Sequence, residues 1–401
     1  MDLSKLRSIS DADVKGKRVI VRADLNVPTK DGKVTDATRL ERVVAGLKEL
    51  SHRGAKTIVI SHFGRPKGRD ESQSLRSVAE ALAGLIGKPV AFATDCIGEV
   101  AASVVNALKP GEIAVLENLR FHAGEEKNDK TFVAELARLG DLYVNDAFSA
   151  AHRAHASTEG LAHVLPAYAG PLMMEEIDAL KSALENPKRP VAAIVGGAKV
   201  STKIPVLENL AGKVDHLVIG GGMANTFLLA QGKAVGKSLA EPDFVEMARK
   251  VLAAANARGC KIFLPQDAAV ASEFKAGAPH KVVSVDSVPA DQMILDFGPA
   301  SAEALCRELD GCATVLWNGP LGAFEINPFD ASTNAVARHV AKLTKDGKVT
   351  SVAGGGDTVA ALNAAGIAGD LSYVSSAGGA FLEWLEGRQL PGVVALAEGK
   401  H

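Results

Sequence analysis

A chain of 401 residues with 47% hydrophobic residues and 39 glycines is long enough to form about two α/β domains with large cores. Its formal net charge of −2, the lack of a dense Lys/Arg run and an aromatic content of 4% argue against nucleic acid or an acidic membrane surface as the main partner. The N-terminus MDLSKLRSIS has no apolar signal core, no stretch of about 18 apolar residues occurs, and the four cysteines form no C-x-x-C pair. These features predict a protein of the reducing cytoplasm that binds neither nucleic acid nor a membrane.

Short apolar runs alternate with helical patterns along the whole chain. The predicted strands are residues 18–22, 57–61, 91–94, 113–117 and 142–146 in the first half, and 191–196, 216–220, 261–265, 281–285, 314–317 and 349–353 in the second. The clearest predicted helices are residues 40–51, 74–86, 132–139, 244–258 and 331–345. This alternation predicts an α/β fold with two parallel sheets, each covered by helices on both faces.

Residues 171–190 lie between the two halves and have a helical middle with a proline at each end. Proline resists the continuation of a helix, so this segment predicts a semi-rigid helical hinge rather than a flexible linker.

In the first half, basic and polar residues follow the ends of the predicted strands. They are Arg22, Asp24, Asn26 and Arg39 after the first strand, His62 and Arg65 after the second, Arg120 after the fourth, and His152, Arg153 and His155 after the fifth. Ligands of open parallel sheets bind at the carboxyl ends of the strands, so arginines from four loops are expected to share one cleft. Their planar guanidinium groups suit phosphate and carboxylate, which predicts a small, multiply anionic ligand. For any one arginine, a surface ion pair is the alternative. No cysteine or carboxylate cluster with zinc spacing supports metal binding by the histidines.

In the second half, glycine and lysine follow the strand ends. The segments are Gly196–Ile204, Gly220–Phe227, Trp317–Glu325, Ala353–Thr358 and Ser375–Gly387. A glycine turn between a strand and a helix N-terminus suits a phosphate group. Lys199 and Lys203 are four residues apart, so they are expected to share one helix face and to reach one anion. Asp357 beside the glycines predicts a ligand for Mg²⁺, which takes one or two carboxylates plus phosphate oxygens, and an ordinary N-cap is the alternative.

Two common nucleotide motifs are incomplete in this chain. GKAVGKS at residues 232–238 is one residue short of a Walker A loop, and GGGMAN at residues 220–225 lacks the third glycine of the dinucleotide fingerprint. The incomplete dinucleotide fingerprint argues against an NAD-dependent dehydrogenase. The missing export signal argues against a periplasmic anion-binding protein. The favoured hypothesis is phosphoryl transfer across a closing cleft, from a magnesium-bound nucleotide on one domain to an acid phosphate on the other.

The motifs RADLNVP, SHFGRP, LENLRF, NDAFSAAHRAHAS, GGAKVSTKI, WNGPLGAFE and GGGDT occur in this order along the chain. In order and spacing they resemble the phosphoglycerate kinase family over essentially the whole length. The resemblance implies a monomer of two Rossmann-like domains that acts in glycolysis and gluconeogenesis. It implies reversible transfer of a phosphoryl group between ATP and 3-phosphoglycerate, giving ADP and 1,3-bisphosphoglycerate, with Mg²⁺ as the metal and hinge bending as the motion.

The resemblance also implies roles for particular residues. The acid-binding residues would be Asp24, Asn26, Arg39, His62, Phe63, Gly64, Arg65, Arg120 and Arg153. The nucleotide-binding residues would be Lys199, Lys203, Gly298, Asn318, Glu325, Gly355, Gly356, Asp357 and Thr358, with Asp357 near Mg²⁺. The catalytic residues would be Arg39, Lys203, Gly356 and Gly379. The domains would be residues 1–170 for 3-phosphoglycerate, 171–190 as hinge, 191–388 for the nucleotide, and 389–401 as a tail on the N-terminal domain.

The nucleophile implied by this reaction is the carboxylate of 3-phosphoglycerate. It is already ionised at neutral pH, so no general base is needed, and the sequence contains no convincing acid/base pair. One motif departs from the family, which usually has glycine where this chain has Ala377. Alanine disfavours a positive φ, so this residue is expected to affect how closely its loop approaches the transferring phosphate.

Overall fold

The computed structural model of the protein describes residues 2–400. Met1 and His401, the outer ends of the predicted N-terminal domain and tail, lie outside the described residues. The chain divides into two compact units, one formed by Met1–Ile177 with Gln389–His401 and the other by Asp178–Arg388. Within residues 2–400, no helix combines the length and the apolar character needed to cross a membrane.

The first unit is built on a six-stranded parallel sheet. Its strands and one short hairpin are β1 (Arg18–Arg22), β2 (Thr29–Lys30), β3 (Lys33–Val34), β4 (Lys56–Ile60), β5 (Val90–Ala93), β6 (Ile113–Leu116), β7 (Leu142–Asn145) and β8 (Ala167–Ala169). The order across the sheet is β5-β6-β4-β1-β7-β8, and β2 pairs with β3 alone. The central strand β1 places Ile20 beside Ile58 of β4 and Tyr143 of β7. A strand covered on both faces needs apolar residues in succession, and Val19, Ile20 and Val21 are all buried.

The helices of this unit pack their apolar stripes on the sheet. They are α1 (Thr38–His52), α2 (Arg76–Ile86), α3 (Gly98–Ala107), α4 (Lys130–Ala137) and α5 (Pro171–Leu180). Leu40 and Leu47 of α1 and Val78 and Leu82 of α2 form one core with Val59 of the sheet. The boundary between the two units falls within α5, which a π-helical turn at Lys181–Glu185 follows.

The second unit contains a six-stranded parallel sheet and a smaller antiparallel sheet. Its strands are β9 (Val191–Val195), β10 (His216–Ile219), β11 (Lys261–Phe263), β12 (Asp267–Ala271), β13 (His280–Ser284), β14 (Met293–Phe297), β15 (Thr314–Asn318), β16 (Thr350–Gly354) and β17 (Tyr373–Ser375). The parallel sheet has the order β11-β10-β9-β15-β16-β17. Its helices are α6 (Ile204–Ala211), α7 (Gly222–Ala230), α8 (Val245–Ala257), α9 (Pro299–Asp310), α10 (Ala331–Lys345), α11 (Gly356–Ala364) and α12 (Gly378–Leu385).

The two parallel sheets with their helices confirm the predicted α/β fold, with one exception. The strand predicted at residues 281–285 is β13, which lies in the antiparallel sheet β13-β12-β14 and not in the parallel one. Strands of a covered parallel sheet are buried on both faces, whereas most of β13 is exposed and Val282 keeps 49% of its surface accessible. A short apolar run alone does not separate an edge strand from a buried one.

The last helix, α13 (Pro391–Glu398), belongs to the first unit although it ends the chain. The backbone N–H of Gly392 donates to the carbonyl of Ala151 at 2.8 Å. The carbonyl of Lys400 accepts a hydrogen bond from Arg7 Nη2 at 2.9 Å. Val393 and Leu396 are buried, so this segment completes the packing of the first unit.

Helix α3 offers a matched test of its packing. Val105 is fully buried, whereas Val100 on the same helix is 49% exposed. We expect Val105→Ala to lower the free energy of unfolding by about 2 kcal/mol, because it removes buried methyl groups and leaves a cavity. Val100→Ala should change it by less than about 0.5 kcal/mol. Urea unfolding of both variants measures the difference, and equal effects would contradict the assigned face of α3.

Candidate functional site

In the first unit, loops that follow different strands are tied together by hydrogen bonds. The backbone N–H of Gly64, after β4, donates to Asn26 Oδ1, after β1, at 2.9 Å. Arg120, after β6, donates from Nη1 to the carbonyl of Gly64 at 2.7 Å. Asp24 accepts a hydrogen bond from Ser149 Oγ, after β7, at 2.6 Å. Four strand-end loops therefore form one polar surface, as expected for a parallel sheet.

Arg39 is oriented toward this surface from the first turn of α1. Its Nη1 lies 2.9 Å from the carbonyl oxygen of Asn26 and 3.3 Å from Asp24 Oδ2. The side chain stays 41% exposed, so its remaining donors are open to a ligand. Asp24 therefore acts as a positioning group for Arg39.

A group that we call the arginine cluster consists of Arg22, Arg120 and Arg153 with the imidazoles of His62 and His155. Burial lowers the pKa of His62 far below its usual value, and the three nearby guanidinium groups lower it further. Burial, with the positive charges of Arg120 and Arg153, likewise lowers the pKa of His155 to about 4. Both imidazoles are therefore neutral at pH 7. Because three guanidinium groups lie close together, the cluster favours the binding of an anion.

His62 is held in one tautomer by Arg22. Arg22 Nη2 lies 2.8 Å from His62 Nδ1, and a guanidinium nitrogen can only donate. Nδ1 is therefore the acceptor, and the imidazole proton resides on Nε2 as a donor for a ligand. Arg22 itself is buried and also donates from Nε to Ser157 Oγ at 2.9 Å.

The remaining acid-side residues differ in their placement. Phe63 is buried, and its backbone N–H and carbonyl both bond to the side chain of Asn118, at 3.1 and 2.7 Å. The side chain of Arg65 is exposed, while its N–H donates to Gln73 Oε1 at 2.9 Å. Asn118 organises this loop, and sequence reasoning missed it although it stands in the LENLRF motif.

In the second unit, the loops after β15 and β16 meet at the start of α11. Asn318, buried at the end of β15, donates from Nδ2 to the carbonyl of Gly354 at 2.8 Å and accepts a hydrogen bond from Lys203 Nζ. The N–H of Gly319 donates to Thr358 Oγ1 at 2.7 Å. Gly355 has a φ of +99°, and a Cβ there would lie 2.6 Å from Asn318 Nδ2, so only glycine fits this turn.

Lys203 and Asp357 carry the charges of this surface. Burial lowers the pKa of Lys203, and the negative charges of Asp357 and Glu386 partly oppose that change. Asp357 is exposed in the first turn of α11. A half-buried ammonium beside an exposed carboxylate and a helix N-terminus suits a phosphate chain with a bound cation.

The shared helix face predicted for Lys199 and Lys203 is wrong. Lys199 is exposed before a single 3₁₀ turn at Val200–Thr202, and Lys203 follows that turn, directly before α6. Pro205 suits the first turn of α6, which explains why the helix starts only at Ile204.

A cavity of about 700 Å³ opens in the second unit beside this surface. Its lining is mainly apolar and includes Leu239, Phe274 and Leu321, together with Glu325 and Asp357. This volume and lining are typical of a site for a small organic ligand. The apolar lining residues come from loops and strands without a recognisable motif, and sequence reasoning did not find them.

Of the nine predicted nucleotide-binding residues, Glu325 and Asp357 line this cavity, whereas Gly298 and the predicted catalytic residue Gly379 lie outside its lining. Gly298 precedes α9, and its N–H donates to the carbonyl of Asp267 at 2.9 Å. Gly379 is exposed in the first turn of α12. Ala377, just before that helix, has a φ of −91° and a buried methyl group. Alanine is therefore accommodated there without a positive φ, and its effect on how closely the loop approaches a phosphate stays a prediction.

Comparisons with known proteins agree with one another. The family model for phosphoglycerate kinase matches residues 9–388. The phosphoglycerate kinase of Rhodospirillum centenum is 62% identical over 391 residues, covering 97% of this chain and 99% of that protein. That of Methylobacterium radiotolerans is 63% identical over 396 residues, covering 98% and 99%. The solved structure from Coxiella burnetii has a TM-score of 0.92 at 41% identity, and the one from Pyrococcus horikoshii has 0.81 at 33%, each over 98% of both chains.

Asp296, which lines the cavity, makes stability depend on pH. It accepts hydrogen bonds from the N–H groups of Phe297 and Ser332, both at 2.9 Å, yet burial raises its pKa from 3.8 to about 7. A carboxyl with a raised folded-state pKa stabilises the protein at low pH, and this contribution is lost as the pH rises through 7. Asp296→Asn should therefore gain about 2 kcal/mol of stability relative to the parent protein between pH 5 and pH 7.

Urea unfolding at several pH values measures this gain. Asp346→Asn is the control, because Asp346 is exposed and the ion pair with Lys342 lowers its pKa below 3.8. Above pH 5, the free energy of unfolding of Asp346→Asn should change with pH in the same way as that of the parent protein. If Asp296→Asn also shows the pH dependence of the parent protein, the raised pKa assigned to Asp296 is refuted.

Proposed function

Since this chain belongs to the phosphoglycerate kinase family, we propose that its first unit binds 3-phosphoglycerate and its second unit binds ATP or ADP. The chain is a phosphotransferase of glycolysis that catalyses ATP-dependent phosphoryl transfer. The observation that carries the division of substrates is the arginine cluster, whose mutually repelling charges lie in the first unit alone. The apolar cavity and the glycine turns lie in the second.

The proposed domain roles follow this division. Residues 1–170 bind the acid, residues 191–388 bind the nucleotide, and residues 389–401 form a tail on the first unit. The contacts of α13 with Ala151 support the role of the tail. The hinge role of residues 171–190 stays a prediction, and α5 with its π-helical turn supplies the helical character that it requires.

The acid is held by groups with complementary charge. Arg65, Arg120 and Arg153 offer paired donors to a phosphate or carboxylate. His62 offers its Nε2–H, and Asp24 with Asn26 keeps Arg39 in place. Phe63 and Gly64 shape the loop that these residues share.

The nucleotide is held by an apolar cavity and a charged edge. The cavity takes the base, and the carboxylate of Glu325 accepts hydrogen bonds from sugar hydroxyl groups. Lys199, Lys203 and the Gly355–Thr358 segment bind the phosphates, and Asn318 fixes Lys203. Gly298 supports this unit from the start of α9.

The residues around Asp357 fit a magnesium ion. An exposed carboxylate at a phosphate-binding turn is the kind of single protein ligand that Mg²⁺ combines with phosphate oxygens and water. When bound, the ion neutralises charge on the nucleotide phosphates.

The chemistry that we propose needs positioning rather than proton transfer. The ionised carboxylate of 3-phosphoglycerate attacks the γ-phosphoryl group in line with the departing ADP. Arg39 neutralises charge on the acid's side, and Lys203 neutralises charge on the γ-phosphoryl group. Gly356 and Gly379, in the first turns of α11 and α12, expose backbone N–H groups to the phosphates without a side chain in the way.

We also propose, as the family resemblance implies, that the chain acts as a monomer in the cytoplasm and that its partners are ATP or ADP and 3-phosphoglycerate or 1,3-bisphosphoglycerate. Neither a membrane nor a nucleic acid takes part in this reaction.

Arg39→Ala tests the assigned chemistry. We expect kcat to fall by about three to five orders of magnitude, as for other cationic groups in phosphoryl transfer, while ADP affinity in the second unit is unchanged. A coupled assay measures kcat, and calorimetry measures ADP binding. Arg138→Ala is the control, because Arg138 pairs with Glu135 on the exposed face of the same unit. An Arg39→Ala enzyme with normal turnover would remove Arg39 from its role.

Asp357→Asn tests the magnesium site. Calorimetry should show the affinity for ADP with Mg²⁺ falling about tenfold or more, because a ligand of the ion is lost, while the affinity for metal-free ADP changes little. Asp310→Asn is the control, since Asp310 pairs with His339 at 2.8 Å and has no assigned role. Equal losses with and without Mg²⁺ would show that Asp357 does not hold the ion.

A further inference from the structure

A histidine, a cysteine and a carboxylate lie together in the first unit, outside the proposed substrate contacts. One possible ligand atom from each of Asp95, Cys96 and His122 lies within 4.8 Å of the other two. His122 Nε2 is 2.7 Å from Asp95 Oδ1, and these two side chains keep 32% and 35% of their surface exposed. Cys96 is buried. The cluster therefore combines one buried sulfur with two ligands that solvent can reach.

The two segments that carry these side chains are fixed to each other. Arg69 Nη1 donates to the carbonyl of Thr94 at 3.0 Å, and its guanidinium lies 5.7 Å from the ring centre of Phe121. Thr94 directly precedes Asp95, and Phe121 directly precedes His122, so Arg69 links the two segments. The N–H of His122 also closes the turn by donating to the carbonyl of Leu119 at 3.2 Å. The three side chains are thus held in place by backbone that is already ordered.

From this geometry we propose that Asp95, Cys96 and His122 bind a transition-metal ion of the zinc class, separate from the Mg²⁺ of the nucleotide. Thiolate, imidazole and carboxylate are the ligands that Zn²⁺ prefers, whereas Mg²⁺ prefers oxygen alone. Three protein ligands leave a fourth tetrahedral position for water. At zinc–ligand distances of about 2.0–2.1 Å, nitrogen and oxygen ligands lie about 3.4 Å apart, so His122 and Asp95 need to separate by less than about 1 Å.

Binding changes the protonation of two ligands. The Cys96 thiol releases its proton to solvent as the sulfur–metal bond forms. His122 gives up its hydrogen bond to Asp95 and coordinates through Nε2 as a neutral imidazole, with its proton on Nδ1. No electron is transferred.

The test uses Co²⁺ as a spectroscopic probe for the zinc class. The intact chain, without nucleotide, is titrated with Co²⁺ while the near-ultraviolet thiolate-to-cobalt band is recorded. We expect one ion per chain, a thiolate band, and its loss when Zn²⁺ is added. Cys96→Ser should remove the band, and His122→Gln should weaken Co²⁺ binding about tenfold or more. Circular dichroism of the metal-free variants checks their folding, and His122→Gln, at a part-exposed position, keeps the test valid if Cys96→Ser does not fold.

Two matched controls come from the same chain. Cys306→Ser removes another thiol, and His163→Gln removes another histidine that is paired with a carboxylate, here Glu159 at 2.6 Å. Both should keep the band and the affinity of the parent protein. The proposal is overturned if the parent protein gives no thiolate band, if His122→Gln binds Co²⁺ as tightly as the parent, or if Cys306→Ser removes the band.

Discussion

In a parallel sheet, every strand delivers the residues that follow it to the same edge, and both surfaces described above depend on this constraint. In the first unit, it brings Asn26, Gly64 and Arg120 into hydrogen-bond contact although they are far apart in sequence. In the second unit, it places Asn318 beside the glycine turn after β16. Apart from Arg22 and Asn318 at the last positions of β1 and β15, the residues assigned to the two surfaces lie outside the strands of the parallel sheets. The strands supply apolar residues for the core and hold the chemical groups at their carboxyl ends.

The electrostatics of the two surfaces differ. The arginine cluster holds like charges close together and keeps His62 neutral between them, so the free protein carries repulsion that a bound anion relieves. A ligand that binds only the folded state also stabilises it. The second surface balances its charges, since Lys203 lies near Asp357 and Glu386. Such a surface suits a nucleotide that brings its own cation.

The sequence predicted most of the parallel strands, and it singled out the charged residues near the carboxyl edges of the two sheets, because both leave local signals. Buried strands are continuous apolar runs, and Arg39 or Asp357 follows such a run at a predictable edge. Two features had no local signal. The exposed strand β13 has the same apolar residue types as a buried strand, and Leu239 and Phe274 line a cavity only through tertiary packing. The start of α6 did have a local signal, because Pro205 suits the first turn of a helix. Asn118 was missed because its role is to hold the backbone of a different loop.

The first unit is discontinuous in sequence, since α13 packs beside Ala151 after the whole second unit has intervened. Synthesis proceeds from the N-terminus, and domains generally begin to fold while the ribosome is still adding residues. In the first unit, the buried positions of Val393 and Leu396 therefore stay unfilled during the synthesis of the second unit. That unit, Asp178–Arg388, is more than two hundred residues long. The surface that holds the arginine cluster is translated first, but its supporting unit reaches its final packing only when translation is nearly over.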